Sequence, residues 1–249
     1  MMELLRGIDV SYYQGIIDWQ AVKETGLVKF AIIRAGYGRY ANQKDSQFER
    51  NYAGAKAAGI PVGAYWYSYA MSVEEAREEA QACMQVLKGK RFEYPVYFDF
   101  EDSRQINLGK TVLTGICEAF CDTLEKAGFF AGVYASTYWF KHNLDYPYLA
   151  DRYTIWLADF RKDYDRNIVR DIHQYTSSGR IAGIPYRVDL NVCDRNFPAI
   201  IKARGLNGYS KTAAPDSTGL KTFTAQASPG DLLQLEQLAK SLKLSYKIE

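Results

Sequence analysis

The sequence is poor in the residues that several common enzyme chemistries need. It has only two histidines, His142 and His173, and no G-x-S-x-G, H-E-x-x-H or Walker-type glycine-rich sequence. These absences argue against serine hydrolases of the elbow type, zincins and nucleotide hydrolases. The four cysteines include no C-x-x-C pair, so we expect reduced structural thiols, no metal ion and no cofactor.

Charge and hydropathy exclude further classes of partner. The formal net charge of +2 over 249 residues is too small to indicate nucleic acid binding. No apolar run approaches the ~20 residues that span a bilayer, so we expect no membrane partner. Residues 1–7 show no basic stretch followed by an apolar segment, so the sequence predicts no signal peptide.

Apolar strand patterns alternate with amphipathic helix patterns as far as residue 143. Strands are predicted at 7–11, 29–35, 61–69, 95–101, 130–136, 154–158, 171–175 and 187–192. Helices are predicted at 19–24, 45–58, 72–88, 111–127 and 137–143, and beyond that point only loops separate the strands. Five strand–helix repeats followed by three strands predict an α/β fold, an irregular TIM-like (β/α)5β3 barrel.

The end of the chain has a different composition. We expect the barrel to occupy residues 1–203, a linker to occupy 204–219, and a small C-terminal βαβ module to occupy 220–249. About thirty residues cannot bury a core of their own. We therefore expect this module to bind the wall or to self-associate into a homo-oligomer through a leucine stripe: Leu232, Leu235, Leu238 and Leu242.

Two acids close the fourth predicted strand. Asp99 and Glu101 flank Phe100, and alternate side chains of a strand share a face. Two neighbouring carboxyl groups at the end of a buried strand should raise at least one pKa. Enzymes that cleave glycosidic bonds use a protonated carboxyl group beside an ionised one.

Two further aspartates are expected at the same end of the barrel. Asp9 ends the first strand and Asp189 lies in the eighth. The first and eighth strands are neighbours in a closed barrel, and catalytic groups of such barrels lie at the carboxyl ends of the strands. We therefore expect Asp9 and Asp189 to meet at the seam. Each alone would more simply be a turn or capping residue.

Aromatic residues make up 14% of the chain, and 20 of them are tyrosines. A tyrosine offers an apolar face and a hydroxyl group together, which suits sugar rings. Five aromatic residues lie near predicted strand ends and are candidates for sugar contacts: Tyr37, Tyr65, Trp66, Tyr134 and Trp156. The alternative is that some of them fill the barrel core.

Taken together, these segments resemble the family 25 glycoside hydrolases, the muramidases first known as Chalaropsis-type lysozymes. The resemblance covers roughly residues 6–198. Its blocks are 7–15 (GIDVSYYQG), 17–19 (IDW), 30–35 (FAIIRA), 63–67 (GAYWY), 97–101 (YFDFE), 154–158 (TIWLA) and 188–191 (VDLN). One departure is Trp66, which stands where many relatives have histidine.

The resemblance implies a lysozyme that hydrolyses the β-1,4 bond between N-acetylmuramic acid and N-acetylglucosamine in peptidoglycan, with retention. It implies Glu101 as general acid and then base. It also implies that Asp99, Asp9 and Asp189 line the subsite around the cleaved sugar. Asp99 either orients the substrate's 2-acetamido group for attack or is itself the nucleophile.

Two other functions stay open, a glycan-binding barrel that has lost catalysis and a chitinase-like hydrolase. Without a signal peptide, a phage endolysin would stay in the host cytoplasm until release. Otherwise the protein would be secreted, and in either case it would act at the bacterial cell wall.

Overall fold

The computed structural model describes residues 4–211, which form a closed barrel of eight strands. The strands are β1 (Leu5–Val10), β2 (Phe30–Tyr37), β3 (Val62–Tyr67), β4 (Val96–Asp99), β5 (Ala131–Ser136), β6 (Thr154–Ala158), β7 (Ile172–Gly179) and β8 (Val188–Cys193). Strands β1 to β7 are parallel to one another, whereas β8 is antiparallel to both β7 and β1. We call the end of the barrel where β1 to β7 finish the mouth.

Helices follow each of the first five strands. They are α1 (Trp19–Glu24), α2 (Phe48–Ala57), α3 (Val73–Leu87), α4 (Lys110–Lys126) and α5 (Tyr146–Arg152), and α6 (Phe197–Arg204) follows β8. Only loops join β6 to β7 and β7 to β8, so the (β/α)5β3 prediction is confirmed. No helix in the described part of the chain is long and apolar enough to cross a membrane.

Local signals in the sequence explain where the helices begin. The Asp18 carboxylate accepts hydrogen bonds from the backbone of Gln20 and Ala21, and the Ser72 hydroxyl accepts one from Glu75. The helix predicted at 137–143 is a π-helical turn over Trp139–Asn143. Helices α5 and α6 are not among the predicted helices. Each has a proline in its first turn, which marks a helix start.

The core has two layers. Outward-facing strand residues pack under the helices, where the rings of Phe98 and Phe120 stack at 4.1 Å. Inward-facing residues fill the barrel, where the rings of Phe30 and Tyr94 stack at 4.4 Å. Glycine makes room for these rings: a Cβ atom on Gly7 would lie 2.3 Å from the ring of Phe30.

Residues 205–211 close the end of the barrel opposite the mouth. Asn207 is fully buried there, and its side chain donates to the Tyr94 carbonyl and accepts from the Phe130 backbone. The Tyr209 hydroxyl hydrogen-bonds to Glu93. The predicted linker therefore begins with residues that pack on the barrel. The rest of it and the predicted C-terminal module lie outside the described residues.

Candidate active site

Four carboxyl groups come together at the mouth. Asp9 is the last residue but one of β1, Asp99 ends β4, and both are buried. Glu101 follows β4 and is exposed, and Asp189, the second residue of β8, is half-buried. The Cα atoms of Asp9 and Asp189 are direct partners across the β1–β8 seam. Asp189 reaches the mouth from the amino end of its strand, not the carboxyl end, because β8 runs antiparallel to the rest.

The strand containing Asp99 is shorter than predicted. β4 ends at Asp99, so the alternation of side chains along a strand does not place Glu101. The two carboxyl groups nevertheless interact, since the charge of Glu101 raises the pKa of Asp99. Glu101 lies in the segment that leaves the barrel after β4, where the residue is exposed.

Loss of contact with water raises the pKa of all four carboxyl groups, including that of Glu101, whose carboxyl group is shielded by its neighbours although the residue as a whole is exposed. Neighbouring charge adds to this effect: Asp189 raises the pKa of Asp9, Glu101 raises that of Asp99, and Asp189 raises that of Glu101. Arg34 opposes it by lowering the pKa of Asp99. The cluster therefore holds protons at a pH at which solvated carboxyl groups are ionised, as acid catalysis requires.

Asp9 is fixed by two side-chain amides. Its Oδ2 atom accepts hydrogen bonds from Gln174 Nε2 at 2.9 Å and from Asn191 Nδ2 at 2.8 Å. The amides are fixed in turn, because Tyr134 donates to Gln174 Oε1 at 2.9 Å and the Trp156 indole donates to Asn191 Oδ1 at 2.8 Å. Sequence analysis missed Gln174 and Asn191. The signal for Asn191 is its two-residue spacing from Asp189, which places both side chains on one face of β8.

Arg34 is a third residue that sequence analysis missed. Its Nε atom lies 2.7 Å from Asp45 Oδ2, and its guanidinium group lies 4.8 Å and 5.4 Å from the ring centres of Tyr12 and Tyr13. Ion pairing and the two rings hold the cation in place near Asp99. Arg34 follows the inward-facing Ile32 by two residues on β2, so both side chains lie on the same face of the strand. This spacing is the signal by which the sequence could have indicated Arg34.

The candidate aromatic residues divide into two groups. Tyr37 and Tyr65 are half-buried at the mouth, where a ligand can reach them. Tyr134 and Trp156 are only 7% and 1% exposed and pack edge to face, with ring centres 4.5 Å apart. They line the floor beneath the carboxyl cluster, so the expectation that Trp156 stacks on a sugar does not fit its burial.

The prediction for Trp66 is wrong. Its side chain is fully buried in the layer between barrel and helices, and its indole donates to the Gly38 carbonyl at 2.9 Å. Tyr65 and Trp66 are adjacent on β3, so their side chains must point to opposite faces of the sheet. Tyr65 takes the inward face, which leaves Trp66 no access to the mouth.

Comparison with known proteins agrees with this architecture. Residues 8–184 match the sequence profile of the glycosyl hydrolases family 25. The autolytic lysozyme of Clostridium acetobutylicum is 29% identical over 192 residues, which make up 75% of this chain and 55% of that protein.

Two solved structures are also similar. The modular autolysin LytC from Streptococcus pneumoniae, in complex with a synthetic peptidoglycan ligand, has a TM-score of 0.67 and 26% identity over 76% of this chain and 46% of LytC. The CTP1L endolysin has a TM-score of 0.70 and 20% identity over 98% of this chain and 84% of the endolysin, a likeness of fold.

The chain spans about half the length of the Clostridium lysozyme and of LytC. Because the matched profile covers more than half of this chain and includes Asp9, Asp99 and Glu101, the protein belongs to the glycosyl hydrolases family 25.

Proposed function

We propose that this protein is a lysozyme that hydrolyses the β-1,4 bond between N-acetylmuramic acid and N-acetylglucosamine in peptidoglycan. The observation that carries the proposal is the meeting of Asp9, Asp99, Glu101 and Asp189 at the mouth of one barrel. Family membership and the similarity to a lysozyme and to an autolysin bound to a peptidoglycan ligand support this substrate class.

Glu101 is the general acid in this proposal. It is the exposed member of the cluster, so it can reach the glycosidic oxygen, and its raised pKa keeps a proton available. Protonation of that oxygen breaks its bond to the anomeric carbon and releases one part of the glycan as an alcohol. Glu101 then removes a proton from the water that completes hydrolysis.

Asp99 acts on the other side of the bond. It is 6% exposed, and its Oδ1 atom is buried without a hydrogen-bond partner among the described residues. A free buried acceptor fits the N–H of the substrate's 2-acetamido group, whose oxygen would then attack the anomeric carbon and give retention. The rival is direct attack by Asp99, and a covalent glycosyl adduct trapped on Asp99 would reject the acetamido route.

Binding to peptidoglycan would use Tyr37 and Tyr65 at the mouth. We also propose that residues 220–249 attach the protein to the wall or to a second copy. The protein would reach the wall either by release from a host cytoplasm, as a phage endolysin does, or by secretion. A chain ending at residue 211 tests both roles. If it binds walls as well as the full chain does, and forms oligomers with the same number of copies, neither role belongs to the C-terminal module.

Digestion of purified peptidoglycan tests the activity directly. Mass spectrometry of the products should find N-acetylmuramic acid at the new reducing ends. N-acetylglucosamine at the reducing end, or cleavage of chitin in preference to peptidoglycan, would reject the muramidase. Binding to walls without any cleavage would indicate the inactive glycan-binding barrel.

A further inference from the structure

The proton donor of the proposed mechanism depends on its backbone for its position. Within the part of the chain that the structure describes, no hydrogen bond or ion pair reaches the Glu101 carboxyl group, and β4 ends two residues before it. We propose that Gln105 is a positioning residue for Glu101, which fastens the segment after this acid to the segment after β3. This inference rests on the proposed function and assigns to Gln105 a role other than contact with the substrate.

On its amino-terminal side, Glu101 is anchored by Phe100. The Phe100 side chain is fully buried and stacks on Phe98 with ring centres 5.5 Å apart, and its backbone N–H donates to the Tyr134 carbonyl at 3.0 Å. This anchor fixes only one end of the segment. The other end leads into a short 3₁₀ helix, Ser103–Leu108, so the contacts of that helix decide where Glu101 lies.

Three side chains after Glu101 contact the end of β3 and the segment that follows it. The Tyr67 hydroxyl donates to Asp102 Oδ2 at 3.4 Å, and the Arg104 guanidinium group lies 4.4 Å from the centre of the Tyr69 ring. Arg104 also donates to the Asp102 carboxylate at 2.8 Å. Gln105 makes the third contact, and we call the contacts of Asp102, Arg104 and Gln105 with this segment the clamp.

Gln105 is the buried member of the clamp. Its side chain is fully buried, and its Nε2 atom donates to the Ala70 carbonyl at 2.8 Å and to Ser68 Oγ at 3.3 Å. Ser68 and Ala70 are fully buried as well, so water does not readily replace a lost donor there. The Gln105 backbone donates to the Asp102 carbonyl at 3.0 Å, which links this contact to the residue next to Glu101.

The segment to which Gln105 is fastened is itself held in place. The Ser68 backbone donates to the Asp99 carbonyl at 3.0 Å, and the Tyr69 backbone donates to Glu79 Oε1, on α3, at 2.8 Å. The clamp therefore connects Glu101 to a segment that is bonded to Asp99. The same contacts thus hold the proton donor and the buried acid of the site at a fixed separation, as positioned catalytic groups require.

Gln105→Met tests the clamp, because it keeps the length of the side chain and removes the donating amide. Two substrates distinguish a displaced proton donor from a disturbed cleft. The leaving sugar of peptidoglycan needs a proton, whereas dinitrophenol leaves a 2,4-dinitrophenyl glycoside of the N-acetylglucosamine–N-acetylmuramic acid disaccharide without one. We expect kcat to fall by about 10- to 100-fold on peptidoglycan and by less than about threefold on the aryl glycoside, with KM within about threefold of wild type.

Gln14→Met is the matched control. Gln14 is also a buried glutamine at the mouth, and its Nε2 atom donates to the Arg187 carbonyl at 3.0 Å, away from the clamp. Any loss of rate in this variant should be the same for both substrates. If Gln105→Met also loses the two rates in equal proportion, or loses neither, its positioning role is rejected.

A second variant tests the clamp from the surface. The Arg104 side chain is 65% exposed, so Arg104→Leu leaves the buried contacts in place and removes the cation that lies over Tyr69. It must lower the rate on peptidoglycan relative to the rate on the aryl glycoside, even if Gln105→Met does not fold. An unchanged ratio of the two rates in Arg104→Leu would contradict the clamp.

Hydrogen exchange separates failure of the clamp from failure of the proposed function. If the wild-type protein does not cleave peptidoglycan, the proposed function fails, and if it does not cleave the aryl glycoside, exchange takes the place of the rate comparison. The backbone amides of residues 104 and 105, which bond to Asp102, should exchange at least about tenfold faster in Gln105→Met or Arg104→Leu than in wild type or Gln14→Met. Equal exchange in all four proteins overturns the clamp.

Discussion

The side chain of Asn207 bonds to the carbonyl oxygen of Tyr94 at 2.9 Å, although the two residues are 113 positions apart in the chain. Asn207 also accepts a bond from the Phe130 backbone at 2.7 Å, and its φ of 54° lies in the left-handed region that asparagine tolerates. One residue thus ties the segment after α6 to the strands β4 and β5 at the closed end of the barrel.

Asn207→Ala should destabilise the barrel. The change leaves two buried backbone groups without partners and puts a less tolerant residue at positive φ, so we expect a loss of about 2–5 kcal/mol in the free energy of unfolding. Urea denaturation measures this loss, with a substitution at an exposed asparagine, Asn42→Ala, as the control.

In a matched pair of shortened chains, one ending at residue 211 should be more stable than one ending at 204. Equal stability would show that this segment contributes nothing to the barrel.

Glu101→Gln should reduce the rate of peptidoglycan cleavage by at least ~100-fold, because the amide cannot donate the proton that the leaving oxygen needs. Release of reducing ends from purified walls measures the rate. Glu74→Gln, a change at an exposed residue of α3 outside the carboxyl cluster, is the control and should leave the rate unchanged. Activity of Glu101→Gln within a few-fold of wild type would remove Glu101 from the role of general acid.

Arg34 should set the acidic limb of the rate–pH profile. Arg34→Gln removes the cation that lowers the pKa of Asp99, so Asp99 should gain its proton at a higher pH and the acidic limb should move upward. Arg34→Lys keeps the charge and should move the limb less. Since loss of Arg34 also leaves the buried Asp45 unpaired, the double variant Arg34→Gln/Asp45→Asn separates the two effects. An acidic limb that is the same in Arg34→Gln and wild type would contradict the assignment.

Glu79 should make the stability of the protein depend on pH. It is fully buried on α3, where its Oε1 atom accepts from the Tyr69 backbone at 2.8 Å and its Oε2 atom has no partner among the described residues. Burial raises the pKa of Glu79 to about 7. The folded state therefore holds this proton more tightly than the unfolded state, and stability is lost as pH rises from about 4.5 to about 7.

Glu79→Gln keeps an acceptor for Tyr69 and removes the ionisation. Its stability should exceed that of wild type at pH 8 by on the order of 3 kcal/mol, and the difference should shrink toward pH 5. Thermal unfolding across this range measures the effect. A difference that does not change with pH would mean that Glu79 does not titrate in this window.

The sequence predicts this fold well where local patterns decide the structure. Buried parallel strands appear as short apolar runs, and Asp18 and Ser72 mark helix starts through their own hydrogen bonds. The direction of β8 could not be predicted, because side chains alternate with the same period whichever way a strand runs. Helix α6 was missed because its short apolar pattern, 197–204, stands beside residues whose composition is typical of a linker.

The candidate site was predicted in part. The carboxyl groups were found because an acid at the end of an apolar strand is conspicuous. Gln174 and Asn191 were missed because a neutral amide in a strand looks like any polar residue, and only the structure brings Asp9 between them. Trp66 was misplaced because its nearness to a strand end was considered without the face it occupies.

The reversal of β8 has a consequence for how the substrate cleft can diversify. Because β7 ends and β8 begins on the same side of the barrel, the hairpin 180–187 that joins them lies wholly along the rim of the cleft. Other rim loops lead into a helix, whereas this one turns back into the sheet. The middle of this hairpin is tied to α1, because the Gly183 carbonyl accepts a hydrogen bond from the Asp18 backbone and Ile184 is buried in the core. Variation that alters the choice of glycan is therefore confined to its exposed positions, which are 180, 182 and 185–187.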